Sequence, residues 1–217
     1  MSDSSKAAAR TEAKPLGLRE RMRATIRAEV IEAAHRLFTV QGYDRTTVEQ
    51  IAAEVGLSRA SLFRHFGTKE DIVLGHLNDS GLRVAEALAA RPEHESPWMA
   101  LRRAFDVLVR MNEEDVQQTL RYLRMLADTP ALHARHVEKQ LAWRDLLGQE
   151  IARRMGTDPD WPSDPRPPAL AAAALACLDA ASSAWIACDG AIPLSAMLDR
   201  AMDTPRSEAH GIRDHLG

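Results

Sequence analysis

An all-α chain is predicted by three features of this 217-residue sequence. Apolar residues recur at three- and four-residue spacing, no stretch alternates as a half-buried strand would, and helix caps and glycine stops punctuate the pattern. About nine helices follow from this. They fall into a three-helix N-terminal unit at 18–67 and a larger helical body at 68–204, flanked by a basic arm at 1–17 and a tail at 205–217.

Residues 19–41 place Met22, Ile26, Val30, Ala33, Ala34, Leu37 and Phe38 on one stripe, and Gly42 ends that helix. Thr47 and Gln50 have capping-box spacing, in which hydroxyl and amide reciprocally satisfy orphan N–H groups. Val48, Ile51, Ala52 and Val55 form the inner face behind that cap, and Gly56 suits the left-handed position closing the helix. Ser58 caps the next helix, through about Phe66. Thr68 and Asp71 repeat the capping spacing at the head of a long helix reaching about Ala90. RPEHESP (91–97) breaks the chain, and helices at about 98–111, 114–128 and 131–155 follow. GTDPDWPSDPRPP (156–168) is expected to be loop, ALAAAALACLDAASSAWIACDG (169–190) an alanine-rich helix, and Pro193 opens a last short helix.

Charge is divided unevenly. Residues 1–69 carry 12 Lys/Arg against 8 Asp/Glu, whereas the remainder carries 16 against 23. A basic head on an acidic body suits a chain whose first part meets a polyanion. The first twenty residues lack the apolar core of an export signal, which points to a cytoplasmic protein. The longest apolar run, ALAAAALACL at 169–178, is too short for a bilayer, which takes about 20 residues. Cys177 and Cys188, on one helix, would stand about 16 Å apart along its axis, too far for a mutual disulfide. They read as small buried residues, with a redox or cross-subunit role left open.

The stretch TVEQIAAEVGLSRASLFRHF (47–66) carries the functional signal. Ala52 is small where a second helix must cross, Gly56 permits the turn, and Ile51, Val55, Leu57 and Leu62 anchor the pair on a third helix. This is the logic of a helix-turn-helix, whose second helix enters the DNA major groove. On that helix Arg59 suits a guanine edge or phosphate, Ala60 and Ser61 allow close approach, and Arg64 and His65 reach further. Thr46, Thr47 and Lys69 are placed for phosphates at helix starts, and Ser58, the cap of the second helix, joins the DNA-binding set. A plain helical hairpin with a solvated polar face is the competing reading; the agreement of cap, turn, anchors and basicity disfavours it.

GYDRTTVEQIAAEVGLSRASLFRHFGTKEDIV (42–73) resembles the DNA-binding domain of the TetR family of bacterial transcriptional regulators. The resemblance implies a homodimer on a near-palindromic operator, usually a repressor released by a small ligand. Ala60, Ser61 and His65 depart mildly from the family pattern, which bears on operator choice. LRYLRMLADTPALHARHVEKQLAWRDLLGQEIARRMG (120–156), with the alanine-rich helix ending at Trp185, is similar to the ligand domain of regulators of the mycofactocin system. That likeness implies an acyl-CoA-like or lipophilic effector.

In the body, Trp98, Phe105, Leu108, Met111, Tyr122, Met125, Leu126 and Trp143 are candidate pocket walls or plain core. Arg121 and Arg124 are candidates for an anionic ligand group. His133 and His136 lack a completing ligand set for a metal and read as a solvated face, and no cofactor is expected. Ala173, Leu175, Ala176, Ala180, Ser183, Ala184, Ala187 and Met197 are candidate dimer contacts, because small residues allow close helix approach. A buried intrachain helix is the alternative. No nucleophile with an evident base, phosphate-cradling loop or paired carboxylates supports an enzyme. A DNA-binding regulator without a ligand remains a third reading, and no membrane partner is expected.

Overall fold

The computed structural model describes residues 17–157 and 164–203, and every regular element among them is a helix. In order these are α1 (Leu18–Gln41), α2 (Val48–Glu54), α3 (Arg59–His65), α4 (Lys69–Val73) and α5 (Gly75–Ala89). There follow α6 (Pro97–Ala104), α7 (Asp106–Glu113), α8 (Val116–Asp128), α9 (Pro130–Arg154) and α10 (Arg166–Ala187), with α11 over residues 194–203. The expected arm, save Gly17, and the expected tail lie outside the described residues.

The head forms as its caps dictate. Thr47 Oγ1 accepts from Gln50 N–H at 3.2 Å while Thr47 N–H donates to Gln50 Oε1 at 2.8 Å, completing the reciprocal box that starts α2. Gly56, with φ of +67°, ends it: Leu57 N–H reaches back to the Ala52 carbonyl at 2.8 Å. Ser58 Oγ then caps α3 by accepting from Ser61 N–H at 3.1 Å. Ile51, Ala52, Leu62 and Phe66 are buried against Val30, Ala34 and Phe38 of α1. Met22, expected on that stripe, is 60% exposed; the buried side of α1 starts further along, near Ile26 and Val30.

The expected long helix from 68 to 90 is broken in two. Leu74 sits at φ −92°, ψ 11° between α4 and α5, and Leu77 N–H bonds the Leu74 carbonyl three residues back. Gly75 follows because α1 passes close by: a Cβ there would lie 2.7 Å from Ile31 Cδ1. A second break falls at Phe105, whose carbonyl accepts from Leu108 N–H, so the expected 98–111 helix becomes α6 and α7. Residues 166–168, expected to be loop, belong to α10, since prolines are tolerated in a first helical turn; 158–163 of that expected loop lie outside the described residues.

Two apolar clusters result. The larger fills the body around Phe105, Leu120, Trp143, Leu147, Ile151 and Trp185. The smaller belongs to the head but also takes in Ile72, Val73 and Leu74, and then Leu126 of α8 and Leu132 of α9. Arg154, with a side chain 1% exposed, closes the far end of α5 by donating to the carbonyls of Leu88 and Arg91. Both cysteines are free thiols. α10 is long and apolar enough, by length and composition alone, to cross a bilayer, a property that helices packed in a protein core share. Only 28% of its apolar window is buried within the chain, so its other face stands open.

Candidate nucleic-acid interface and effector cavity

Burial divides α3 cleanly. Leu62 is fully buried, whereas Arg59, Ala60, Phe63 and Arg64 form an exposed stripe at three- and four-residue spacing. Arg59 pairs with Glu49 of α2 at 3.0 Å and lies 5.5 Å from the Phe63 ring centre. Arg64 donates to Ser61 Oγ at 2.8 Å. Neither guanidinium is therefore held by a fully buried partner. Ser61 and His65 are half-buried and flank the stripe. Burial first, then the nearby Arg23, Arg27 and Arg64, pushes the His65 imidazole below its ordinary value. Phe63, 37% exposed, is the member that sequence reasoning missed. Its position four residues after Arg59 was the available signal.

Two expected phosphate contacts are corrected. Thr46 is 1% exposed; its hydroxyl donates to the Gly42 carbonyl at 2.8 Å and accepts from Gln41 Nε2, so it braces the turn. Lys69 is turned inward: Nζ donates to the Tyr43 carbonyl at 2.6 Å and sits 3.8 Å from that ring's centre. Burial pulls its ammonium pKa down. Thr47 and Ser58 are exposed at helix starts, with their hydroxyls already engaged as caps.

In the body, a cavity of about 210 Å³ opens between α5, α7, α8, α9 and α10. Leu108, Met111, Tyr122, Leu126 and Trp143 line it. Trp98 and Phe105 do not: Trp98 donates to the Met202 carbonyl at 3.1 Å, and Phe105 is fully buried in the core. Arg121 and Met125 border a separate groove against α1, and Arg124 is spent on Asp189 at 2.7 Å. His133 is exposed and His136 half-buried, against the solvated face expected for both, and the two border the cavity with His76, Ser80, Lys139 and Asp179. The stripe His133, His136, Gln140, Trp143 on α9 has helical spacing and was the legible sign of this wall. Trp143 is locked in place by donating from Nε1 to the Leu77 carbonyl at 3.1 Å, directly over Gly81.

One side of the cavity reaches the head. The His76 ring lies edge-on to Tyr122 at 4.9 Å and to His35 of α1 at 5.7 Å, and His35 stacks on Tyr122 at 5.1 Å. The imidazoles of His35 and His76 both hydrogen-bond the Val73 carbonyl, at the break between α4 and α5, and Tyr122 Oη approaches it at 3.5 Å. Burial lowers the His76 pKa to about 3, helped by His35, and lowers those of His35 and His136 as well. In the unfolded chain the same rings take protons near 6.5, so below that value the unfolded state binds more protons and folding weakens down to about 3. The urea midpoint is expected to fall between about pH 7 and 5, and His76→Phe to flatten that slope. An unchanged slope in the variant would mean that His76 is not buried as a neutral ring.

Among the described residues, no group of three or more His, Cys, Asp or Glu is placed to hold a metal. Small alanines dominate the open face of α10: Ala173, Ala176, Ala180, Ala184 and Ala187 are exposed, with Ser183 beside them, and Met197 of α11 is half-buried. Leu175 is instead 6% exposed and faces the cavity, so it leaves the set of candidate interface residues.

Comparison with known proteins gives matches over both regions. Residues 30–75 match the model of bacterial regulatory proteins of the tetR family, and residues 95–208 match that of the MftR C-terminal domain. The HTH-type transcriptional regulator TcmR of Streptomyces glaucescens is 34% identical over 156 residues, covering 69% of each chain. SmeT, repressor of the Stenotrophomonas maltophilia multidrug efflux pump SmeDEF, shares the fold at a TM-score of 0.55 and 18% identity, over 82% of this chain and 87% of its own. Thermus thermophilus FadR in complex with lauroyl-CoA superposes at 0.51 with 22% identity, over 81% and 91%.

Proposed function

The chain belongs to the TetR family of bacterial regulatory proteins and is a transcriptional regulator rather than an enzyme; on that premise we propose that it is a dimeric repressor of a near-palindromic operator, released by a small lipophilic effector. The observation that carries the reading is α3, which buries Leu62 and leaves Arg59, Phe63 and Arg64 on one free face. Arginine forks suit guanine edges or phosphates, and an exposed aromatic ring suits a thymine methyl. In this reading residues 18–67 are the DNA-binding head and 68–204 the sensing and dimerising body. The exposed alanines of α10 would pack on their copies in a second chain, with α11 alongside. The two-fold axis then sets the recognition helices roughly 34–36 Å apart.

The effector site is the cavity. FadR's lauroyl-CoA supports a lipophilic effector, and the wall of this cavity reaches through His76 to α1 of the head. Release follows only when the ligand prefers a dimer geometry that spaces the heads wrongly for DNA. Fluorescence anisotropy with the inverted repeat nearest the chain's own gene, against scrambled DNA, tests the proposal. Specific binding is expected to exceed non-specific binding by about 10³-fold or more at physiological salt. Equal affinities for both DNAs would sink it, and a monomer by light scattering would remove the dimeric part.

A further inference from the structure

Resting on the cavity as effector site, we propose that its ligand is a weak acid: a carboxylic acid or phenol on an apolar body of one or two rings or an equivalent chain. The walls set the size. A cavity of about 150 Å³ admits benzene, so the present 210 Å³ holds a body only somewhat larger. The cavity opens to solvent, so a coenzyme A moiety would lie outside it. The greater part of the lining is apolar, including Leu108, Met111, Trp143, Leu178 and Ile186.

The polar part of the wall selects the head group. His76 and His136 both line the cavity, and each has a buried Nδ1 without a protein partner. Gln140 Nε2 donates to Nε2 of His136 at 3.0 Å, so the Nδ1 of that neutral ring carries the hydrogen and is a donor for a ligand oxygen. The His76 ring also has a backbone partner in the Val73 carbonyl. Buried polar atoms left unpaired each cost about 1–3 kcal/mol, so a ligand group that pairs them is selected over one that does not. Burial keeps these rings neutral, and a neutral imidazole is a base. A phenol brings its own O–H to the lone pair of the neutral His76 ring, whereas a carboxylate takes up one proton from solvent on binding there; in either case the proton then lies between ligand oxygen and ring nitrogen.

Lys139 adds an ammonium on the same wall, its side chain 14% exposed and 3.8 Å from Asp71, a carboxylate that Arg135 also engages at 3.0 Å. Asp179 is the one acidic residue on the lining, and it is exposed. The titratable groups facing His76 are His35 from α1, Tyr122 from α8, and His136 and Lys139 from α9. None of these is a carboxylate; His136, by contrast, faces the Asp179 carboxylate of α10 as well as His133, so the anion's place is on the His76 and Lys139 side of the wall. Seated there, the acid group also touches the ring that packs on His35, which gives it a direct route to the head.

The test is calorimetric titration of the full chain with 2-naphthoic acid and decanoic acid, their primary amides, and decanoyl-CoA. At least one acid is expected to bind about ten-fold or more tighter than its amide, with the thioester weaker than the free acid. His76→Phe keeps a ring against Tyr122 and should bring the acid-to-amide ratio close to one. His136→Leu, on the more open wall, should lower the same ratio should the first variant not fold. Amides that match their acids, a thioester that binds tighter than the acid, a ratio untouched by the variants, or no binding by any probe overturns the proposal. Operator binding is measured separately. A repressor released only by neutral ligands would leave the regulatory reading standing while this inference fails.

Discussion

Trp143→Ala is expected to lower the free energy of unfolding by about 3–5 kcal/mol, the usual cost of deleting a large buried aromatic side chain. The indole is 9% exposed, belongs to the body core and donates to the Leu77 carbonyl, so contacts and a hydrogen bond vanish together. Gly81 probes the same packing from the opposite side. A Cβ there would lie 2.4 Å from Trp143 Nε1 and 2.7 Å from Cδ1, on the bulk of a ring that cannot bend away. Gly→Ala in a helix interior ordinarily stabilises by about 1 kcal/mol. Here overpacking is expected to reverse the sign and cost about 1–3 kcal/mol, while narrowing the cavity. Urea denaturation of both variants reads this out. A stabilised Gly81→Ala protein would show that Trp143 is not held over α5 as described.

The double variant Arg59→Ala, Arg64→Ala is expected to lose roughly 2–6 kcal/mol of operator affinity, if each arginine makes one good base contact. Both side chains are exposed, so the loss should come without loss of fold, checked by an unchanged thermal midpoint. The single variants separate their roles. A base-reading arginine relaxes specificity at one operator position, whereas a phosphate contact weakens all sequences alike and reduces the salt slope by about one. Operator affinity retained within two-fold by the double variant would place the DNA surface elsewhere.

Most of the head was legible because its determinants are local. A hydroxyl three residues before an amide, a glycine at a helix end and a buried residue every three or four positions act within one or two turns. Thr47, Gln50, Gly56, Ser58 and Leu62 all behave as their spacing predicts. Thr46 and Lys69 went the other way for a tertiary reason: the α1–α2 turn and the Tyr43 ring draw them inward, and nothing in their neighbours announces it. The cavity was legible only in part. Its lining comes from five helices, and which side of each faces inward depends on how all five pack. Apolar Leu108, Met111 and Trp143 fit any buried site, but His76 and Lys139 acquire meaning only once α5 and α9 are side by side. The helix breaks at Leu74 and Phe105 were likewise hidden, since both flanking segments carry continuous helical periodicity.

The Val73 carbonyl has a consequence for anyone wishing to recombine this regulator with others. Interchange of sensor modules invites a cut after the recognition helix, near residue 67, where the sequence changes character. That cut would strip Ile72, Val73 and Leu74 from the head's apolar cluster, along with Leu126 and Leu132 donated by the body. It would also part His35 from the carbonyl it shares with His76 and from the Tyr122 ring beneath it. The seam suited to grafting lies beyond Leu74, and it must carry matching partners for His35 on the incoming helices. What looks like a hinge between two interchangeable parts is a shared apolar foundation, and a hybrid built without it would lose the packing beneath its head.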